Sequence, residues 1–142
     1  MKEGVDFRRL CVAWLPVLVW MAVIFFFSAQ AHSGEITHHY FGDWNLPVRK
    51  SAHCFEYGVL FLLVNRALML SSELSMKAGA AAAIAIAGLY SLSDEWHQSF
   101  VPGRSSTFSD CLVDMLGALV ALAWLFAYRA INEAVRDRSD SC

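Results

Sequence analysis

Charge is scarce in this sequence. Only 17% of its 142 residues are Asp, Glu, Lys or Arg, where a soluble domain carries about 25%, and the mean hydropathy is +0.44. The shortage excludes a disordered chain and argues against a water-soluble globule. No basic face is present either: the net charge is −2, so nucleic acid is not expected as a partner. Three Pro and eight Gly exclude collagen-like or linker sequence. The four cysteines form no CxxC pair, and no HExxH is found. No stretch alternates with period two, which leaves a β-barrel without support, and there is no internal repeat. What is abundant is apolar surface, 57% of the residues. At this length one domain, covering 1–142, is expected. The fold class implied is all-α: an integral membrane four-helix bundle.

Residues 10–27 (LCVAWLPVLVWMAVIFFF) are an unbroken apolar run of 18, long enough for a membrane helix. Pro16 lies inside it, and a neighbouring helix can satisfy the carbonyl that it frees. The basic start and Ala29-Gln30-Ala31 also resemble a secretory signal with its cleavage site, but the run exceeds the usual apolar region of about 7–15 residues. A retained helix is the preferred reading. The four spans are expected at 10–29, 49–70, 74–92 and 110–129, with Gly117, Ala118 and Ala121 allowing close helix approach in the last.

With a cytoplasmic N-terminus, the inner side holds Lys2, Arg8, Arg9, Arg66, Lys77, Arg129, Arg136 and Arg138, and the outer side only Arg49, Lys50 and Arg104. This agrees with the positive-inside rule and makes both termini cytoplasmic. Arg66 and Lys77 read as anchors of the inner interface. Trp14 and Tyr128 fall near the inner interface, and Trp44 and Trp96 near the outer one. Cys54 and Cys111 both lie near outer helix ends, where a disulfide could persist; two packed thiols are the preferred reading. His32, His38 and His39 read as residues of the first outer loop.

The outer ends of three spans carry an unusual polar set. On the second, Lys50, His53 and Tyr57 share a helical face, with Glu56 beside them. The third ends in Asp94, Glu95, His97 and Gln98, and Pro102-Gly103 marks a turn that aims Arg104. The fourth opens with Asp110 and Asp114, four residues apart on one face. Glu56 and Asp114 lie a turn or more inside their helices, so they should face the bundle interior and find partners there. Lys50 and Arg104 are the obvious cations for that charge network. Taken singly, each residue has an ordinary reading. Asp110 suits a first helical turn with Ser109 as N-cap, Arg49 and Lys50 can snorkel to lipid phosphates, and His53 or His97 can be a packing residue. Taken as a constellation, intramembrane ionisable groups point to function.

The run Arg49-Lys50-x-Ala52-His53-x-x-Glu56-Tyr57 resembles a hallmark of the VanZ-like membrane protein family. So do Asp94-Glu95-x-His97-Gln98-x-Phe100-Val101-Pro102-Gly103-Arg104, Asp110-x-x-x-Asp114-x-x-Gly117-Ala118 and Phe27-Ser28-x-Gln30. Cys54 followed by Phe55 swaps the usual order, in which an aromatic follows the histidine. The resemblance implies a multi-pass protein of the bacterial cytoplasmic membrane and cell envelope, in a family named from a member associated with resistance to teicoplanin-type glycopeptide antibiotics. It implies no particular reaction.

Three functions fit these residues. In the first, His53, Glu56, Glu95 and His97 are catalytic, because imidazole suits proton transfer near neutral pH and a carboxylate can orient it. Lys50, Tyr57, Asp94, Gln98, Arg104, Asp110 and Asp114 then hold the substrate, a membrane lipid or lipid-linked cell-wall precursor whose phosphate the cations grip. Two histidines with carboxylates could alternatively hold a divalent metal. No activated nucleophile stands out, Ser93 and Ser105 qualifying by proximity alone. In the second, the pocket binds or occludes such a ligand without chemistry, with Trp44 and Trp96 packing on it. In the third, the charges lock the helices together. Metal occupancy, oligomeric state and ligand identity stay open at this stage.

Overall fold

A computed structural model describes residues 7–104 and 107–140. Lys2, Ser105 and Cys142 therefore lie outside the described residues. Among the described residues there are no strands, and the helices are α1 (Phe7–Ser28), α2 (Ser33–Phe41), α3 (Asn45–Ser71), α4 (Met76–Gln98) and α5 (Phe108–Asp140), with a 3-10 turn at Gly42–Trp44 between α2 and α3. Four helical segments, Phe7–Ser28, Ser33–Ser71, Met76–Gln98 and Phe108–Ser139, are long and apolar enough to cross a membrane. Each is mostly unburied within the bundle, and side chains such as Leu15, Phe26, Leu89 and Leu119 point outward. Outward apolar surface on every helix is what a hydrocarbon solvent favours and water does not.

The helices alternate in direction, and α3 is central, packing against α1, α4 and α5. Its Tyr57, Leu60, Phe61 and Val64 are fully buried with Val17 and Ile24 of α1, Ala83 and Ala87 of α4 and Ala118 of α5. The small residues let backbones approach. A Cβ placed on Gly117 would collide with the Cys54 backbone of α3, and one on Gly58 would lie 3.2 Å from the Gly117 carbonyl oxygen. The α3–α5 seam is therefore backbone against backbone, the small-residue contact expected between membrane helices.

Local chemistry sets the ends. Pro47 occupies the first turn of α3, where a missing N–H costs no helical bond. The Ser75 side chain caps α4 by accepting from the Ala78 N–H at 3.3 Å. In α5 the expected cap moves: the helix begins at Phe108, before Ser109. Thr107 is the residue that meets the first turn, its hydroxyl donating to Asp110 Oδ2 at 2.8 Å. Cys11, Cys54 and Cys111 are free thiols.

Pro16 removes the helical bond to the Val12 carbonyl, and Arg66 Nη1 of α3 donates to that oxygen at 3.4 Å. Arg66 thus ties α3 to α1 in addition to lying near the bundle end. Replacing it with alanine is expected to cost about 1 kcal/mol, because a carbonyl loses its partner. Thermal unfolding in detergent measures this, and Lys77→Ala, whose side chain serves no such carbonyl among the bonds described, should stay near wild type.

The segment that follows α1 corrects an expectation. Residues 33–41 form a nine-residue helix, so His38 and His39 are helical and only His32 stands before it. Thr37 explains the order. Its hydroxyl donates to the Ser33 carbonyl at 2.8 Å and meets Asn45 Oδ1, while Asn45 Nδ2 donates to the Gly34 carbonyl at 3.2 Å. These bonds fasten α2 to the start of α3. Ile36, Tyr40 and Trp44 remain exposed, as suits an element lying at a membrane interface.

Candidate functional site

All the polar segments meet at one end of the bundle. There α1 finishes, α3 begins, α4 finishes and α5 begins. The helix α4 runs past its apolar stretch because its last turns bury polar groups in register with the core stripe: Ala80, Ala83, Ala87, Ser91, Asp94 and Gln98 share its inward face and are all buried. Steps of three and four residues keep that face continuous.

Two carboxylates organise this end. Asp114 of α5 is fully buried. Its Oδ2 accepts from the Ser91 hydroxyl at 2.7 Å, and its Oδ1 lies 3.3 Å from His53 Nδ1. An isolated buried carboxylate would be several kcal/mol unfavourable, so these partners are what make the position tolerable. With Nδ1 turned to Asp114, His53 has Nε2 left for a ligand. Asp94 of α4 is the second centre. Its Oδ2 accepts from the Ser28 hydroxyl at 2.8 Å and from Gln98 Nε2 at 2.7 Å. The Gln98 Oε1 in turn accepts from Arg104 Nη1 at 2.7 Å.

Arg104 is aimed by its turn, as expected from Pro102-Gly103. Gly103 has φ +76°, and the Arg104 N–H returns to the Val101 carbonyl at 3.2 Å. Pro at the second and Gly at the third position of such a turn are its natural residues. The His32 N–H donates to the Pro102 carbonyl at 3.1 Å, so the loop is also pinned to the start of α2. Arg104 Nη2 then donates to the Phe27 carbonyl at 2.9 Å.

The cations are distributed differently from the expected network. Lys50 pairs with Asp110 at 3.6 Å, not with Glu56 or Asp114. The hydrogen bonds of Arg104 go to an amide oxygen and a backbone carbonyl, neither of them charged. Burial and the neighbouring Arg49 guanidinium push Arg104 below its ordinary value, against the pull of Asp94, Glu95 and Glu56. An arginine remains charged even so.

Two polar hollows open here and share Arg49 and His53. One is a cavity of about 50 Å³ between α3, α4 and α5, lined also by Lys50, Glu95, Gln98 and Asp110. That is room for water-sized groups. The other is a groove of about 420 Å³ between the end of α1, α2 and α3, lined also by Ser28, Glu56 and Arg104. Two guanidiniums and an imidazole facing one groove can grip an oxyanion, with Arg offering a planar fork.

The family model of VanZ/LLP1 matches residues 13–129, most of the chain. The chain belongs to the VanZ/LLP1 family. No curated protein and no solved structure matches it.

In this VanZ/LLP1 protein the residues singled out from sequence divide into groups. Lys50, His53, Glu95, Gln98 and Asp110 line the cavity, and Glu56 and Arg104 line the groove. Asp114 and Asp94 stand behind them as supports. Tyr57 is fully buried in the core, its ring 6.3 Å from that of Tyr90. His97 packs its ring on Phe25 of α1, centroids 4.5 Å apart, while His53 turns to α5. Among the described residues no three or more His, Cys, Asp or Glu converge as ion ligands. Trp44 and Trp96 are 72% and 70% exposed, the latter edge-on to Phe100. Ser93 is exposed and donates to the Tyr90 carbonyl at 2.8 Å, so it is not presented as a nucleophile.

Three contributors went unassigned from sequence: Arg49, Ser28 and Ser91. Ser91 was readable as the member of the α4 inward stripe one turn before Asp94. Ser28 sat in a recognisable motif with no charge to mark it. Arg49 looked like a lipid-facing cation.

Proposed function

We propose that this VanZ/LLP1 protein holds the phosphate head of a membrane lipid or lipid-linked cell-wall precursor on the outer side of the bacterial cytoplasmic membrane. The sidedness rests on charge. Arg49, Lys50 and Arg104 stand at the site end, while Arg8, Arg9, Arg66, Lys77, Arg129, Arg136 and Arg138 lie toward the other, which the positive-inside rule makes cytoplasmic. The observation that carries the ligand class is the pair Arg49 and Arg104 facing one groove with His53. Two like charges held close gain most from a shared anion, and charge-assisted bonds to phosphate are short and strong.

Binding of butyl phosphate by the full chain in detergent tests this. Arg49→Ala and Arg104→Ala should each weaken it about tenfold or more, the worth of one lost charge-assisted bond. Lys77→Ala at the far end should change nothing. Wild-type affinity in both arginine variants would sink the reading. If the ligand is the precursor on which teicoplanin-type antibiotics act, expression of the protein should raise tolerance to them.

The pairing of His53 with Asp114 favours a second reading, hydrolysis of the phosphate ester. Ser28 and Ser91 are committed to carboxylates, and the reading takes water as the nucleophile. Water attacks phosphorus and gives its proton to His53 Nε2. The bond from phosphorus to the ester oxygen breaks, and that oxygen takes the proton back, releasing inorganic phosphate and an alcohol. His53→Gln should then stop phosphate release while butyl phosphate still binds. Binding without release by the wild-type protein would leave a binding module.

A further inference from the structure

A third hollow, apolar and larger, begins where the polar cavity ends. It is a groove of about 710 Å³ along the α3–α5 seam, and it shares Lys50 and Val113 with the polar cavity. Gly58, Gly117 and Ala121 form its floor, and side chains including Leu62, Leu116 and Val120 form its walls. We propose that this groove holds the hydrocarbon chain of a lipid whose phosphate sits at Arg49 and His53, the two residues that line both polar hollows, the chain entering beside Lys50 and running toward Trp124. The inference rests on the headgroup reading above and extends it from a phosphate to a long-chain phosphate amphiphile.

Length, section and polarity each support that occupant. From Lys50 to Leu62 the groove follows α3 for about 18 Å at ~1.5 Å per residue. One leaflet of the hydrocarbon core is about 15 Å deep, so the groove spans a leaflet and stops. Its volume over that length leaves a section of about 40 Å², half that of a helix ~10 Å across, so it admits a chain more readily than a helix of a second copy. The two grooves also differ in character. The one between α1, α2 and α3 is lined by Ser28, Gln30, Ser33, Thr37, Glu56 and the arginines, an unfavourable path for hydrocarbon. The α3–α5 groove has a single charged side chain in its lining, Lys50, and that lies at the mouth. Lys50 is held there by Asp110 at 3.6 Å, and a cation at the polar end of an apolar channel complements an anionic amphiphile when it is shared with the phosphate. The floor stays low because its glycines are already in contact across the seam.

The test is native mass spectrometry of the full chain in detergent, titrated with hexadecyl phosphate, butyl phosphate and hexadecanol. Hexadecyl phosphate is expected to bind one to one and more tightly than either of the others. Val120→Trp and Leu116→Trp place bulk in the groove from positions that already face outward. Each should weaken hexadecyl phosphate about tenfold or more and leave butyl phosphate unchanged. Two independent variants, each checked by thermal unfolding, prevent one misfolded protein from deciding the matter. If butyl and hexadecyl phosphate bind alike and the tryptophans change neither, the groove assignment falls while the phosphate site stands. Hexadecanol binding as tightly as hexadecyl phosphate would also overturn the pairing of chain with anion. If neither phosphate binds the wild-type protein, the headgroup reading fails and takes this one with it. Loss of a dimer in both tryptophan variants would show the groove to be an interface between two copies, against the proposal.

Discussion

Gly117→Leu is expected to prevent the native bundle from forming, and Gly117→Ala to lower its thermal stability sharply. The position faces the Cys54 backbone of α3, and even a methyl group there collides with the carbonyl. Backbone cannot rotate aside as a side chain does, so α3 and α5 must separate. Overpacking of this kind costs about 1–3 kcal/mol, and leucine should exceed that because its whole side chain needs room between two helices. The damage should also reach the site. His53–Asp114 and Lys50–Asp110 span the same seam, so butyl phosphate binding should fall with stability. Gly88→Ala is the informative contrast. Its added Cβ meets the Met115 sulfur at 3.3 Å, a flexible neighbour, and alanine is the better helix former by about 1 kcal/mol. Unfolding of the two variants in the same detergent should differ in sign or nearly so. A Gly117→Ala protein as stable as wild type would mean that the seam is not backbone against backbone.

Asp114→Ala should be the most damaging change among the polar residues. The carboxylate is fully buried with Ser91 on one oxygen and His53 on the other. Removing one member of a buried pair typically costs about 3–5 kcal/mol, because the partner is left desolvated. Here the Ser91 hydroxyl loses its acceptor and His53 loses the carboxylate 3.3 Å from its Nδ1. Measuring Asp114→Ala, His53→Ala and the double variant as a cycle isolates the pair. Contacting residues of this kind couple by about 0.5–3 kcal/mol, so the double variant should be less destabilised than the sum of the singles. Strict additivity would show that the 3.3 Å approach carries no energy. The cycle also bears on function, since an imidazole freed from Asp114 can turn, and the phosphate site loses one of its three fixed cationic or proton-bearing groups.

Much of the architecture could be read directly. One unbroken apolar run and three less apolar spans within a charge-poor chain mark four membrane helices, and Pro102-Gly103 marks a turn because those backbones are favoured at its two central positions. Lys50, His53 and Glu56 were recognisable as a candidate site because ionisable groups in hydrocarbon need partners. Which partners they take was not readable. Lys50 meets Asp110 and not Glu56 because the parallel run of α3 and α5 sets those two side chains level. His53 and His97 part company because α3 and α4 present them to different neighbours, α5 and α1. The helix α2 escaped notice because Ser33–Phe41 has no apolar periodicity of its own; its order comes from Thr37 and Asn45.

Composition and spacing by themselves therefore determined the solvent this protein folds in, the number of its crossings and the end at which its polar residues gather, since the cost of charge in hydrocarbon depends on residue type and depth. Tertiary structure alone decided that Arg49 joins Arg104, that Ser28 and Ser91 hold the two carboxylates, and that an apolar groove leads away from Lys50. Those facts depend on which helix faces meet and how closely. A serine hydroxyl or a glycine is inexpensive almost anywhere in a chain, and it gains its meaning from the atom placed across from it.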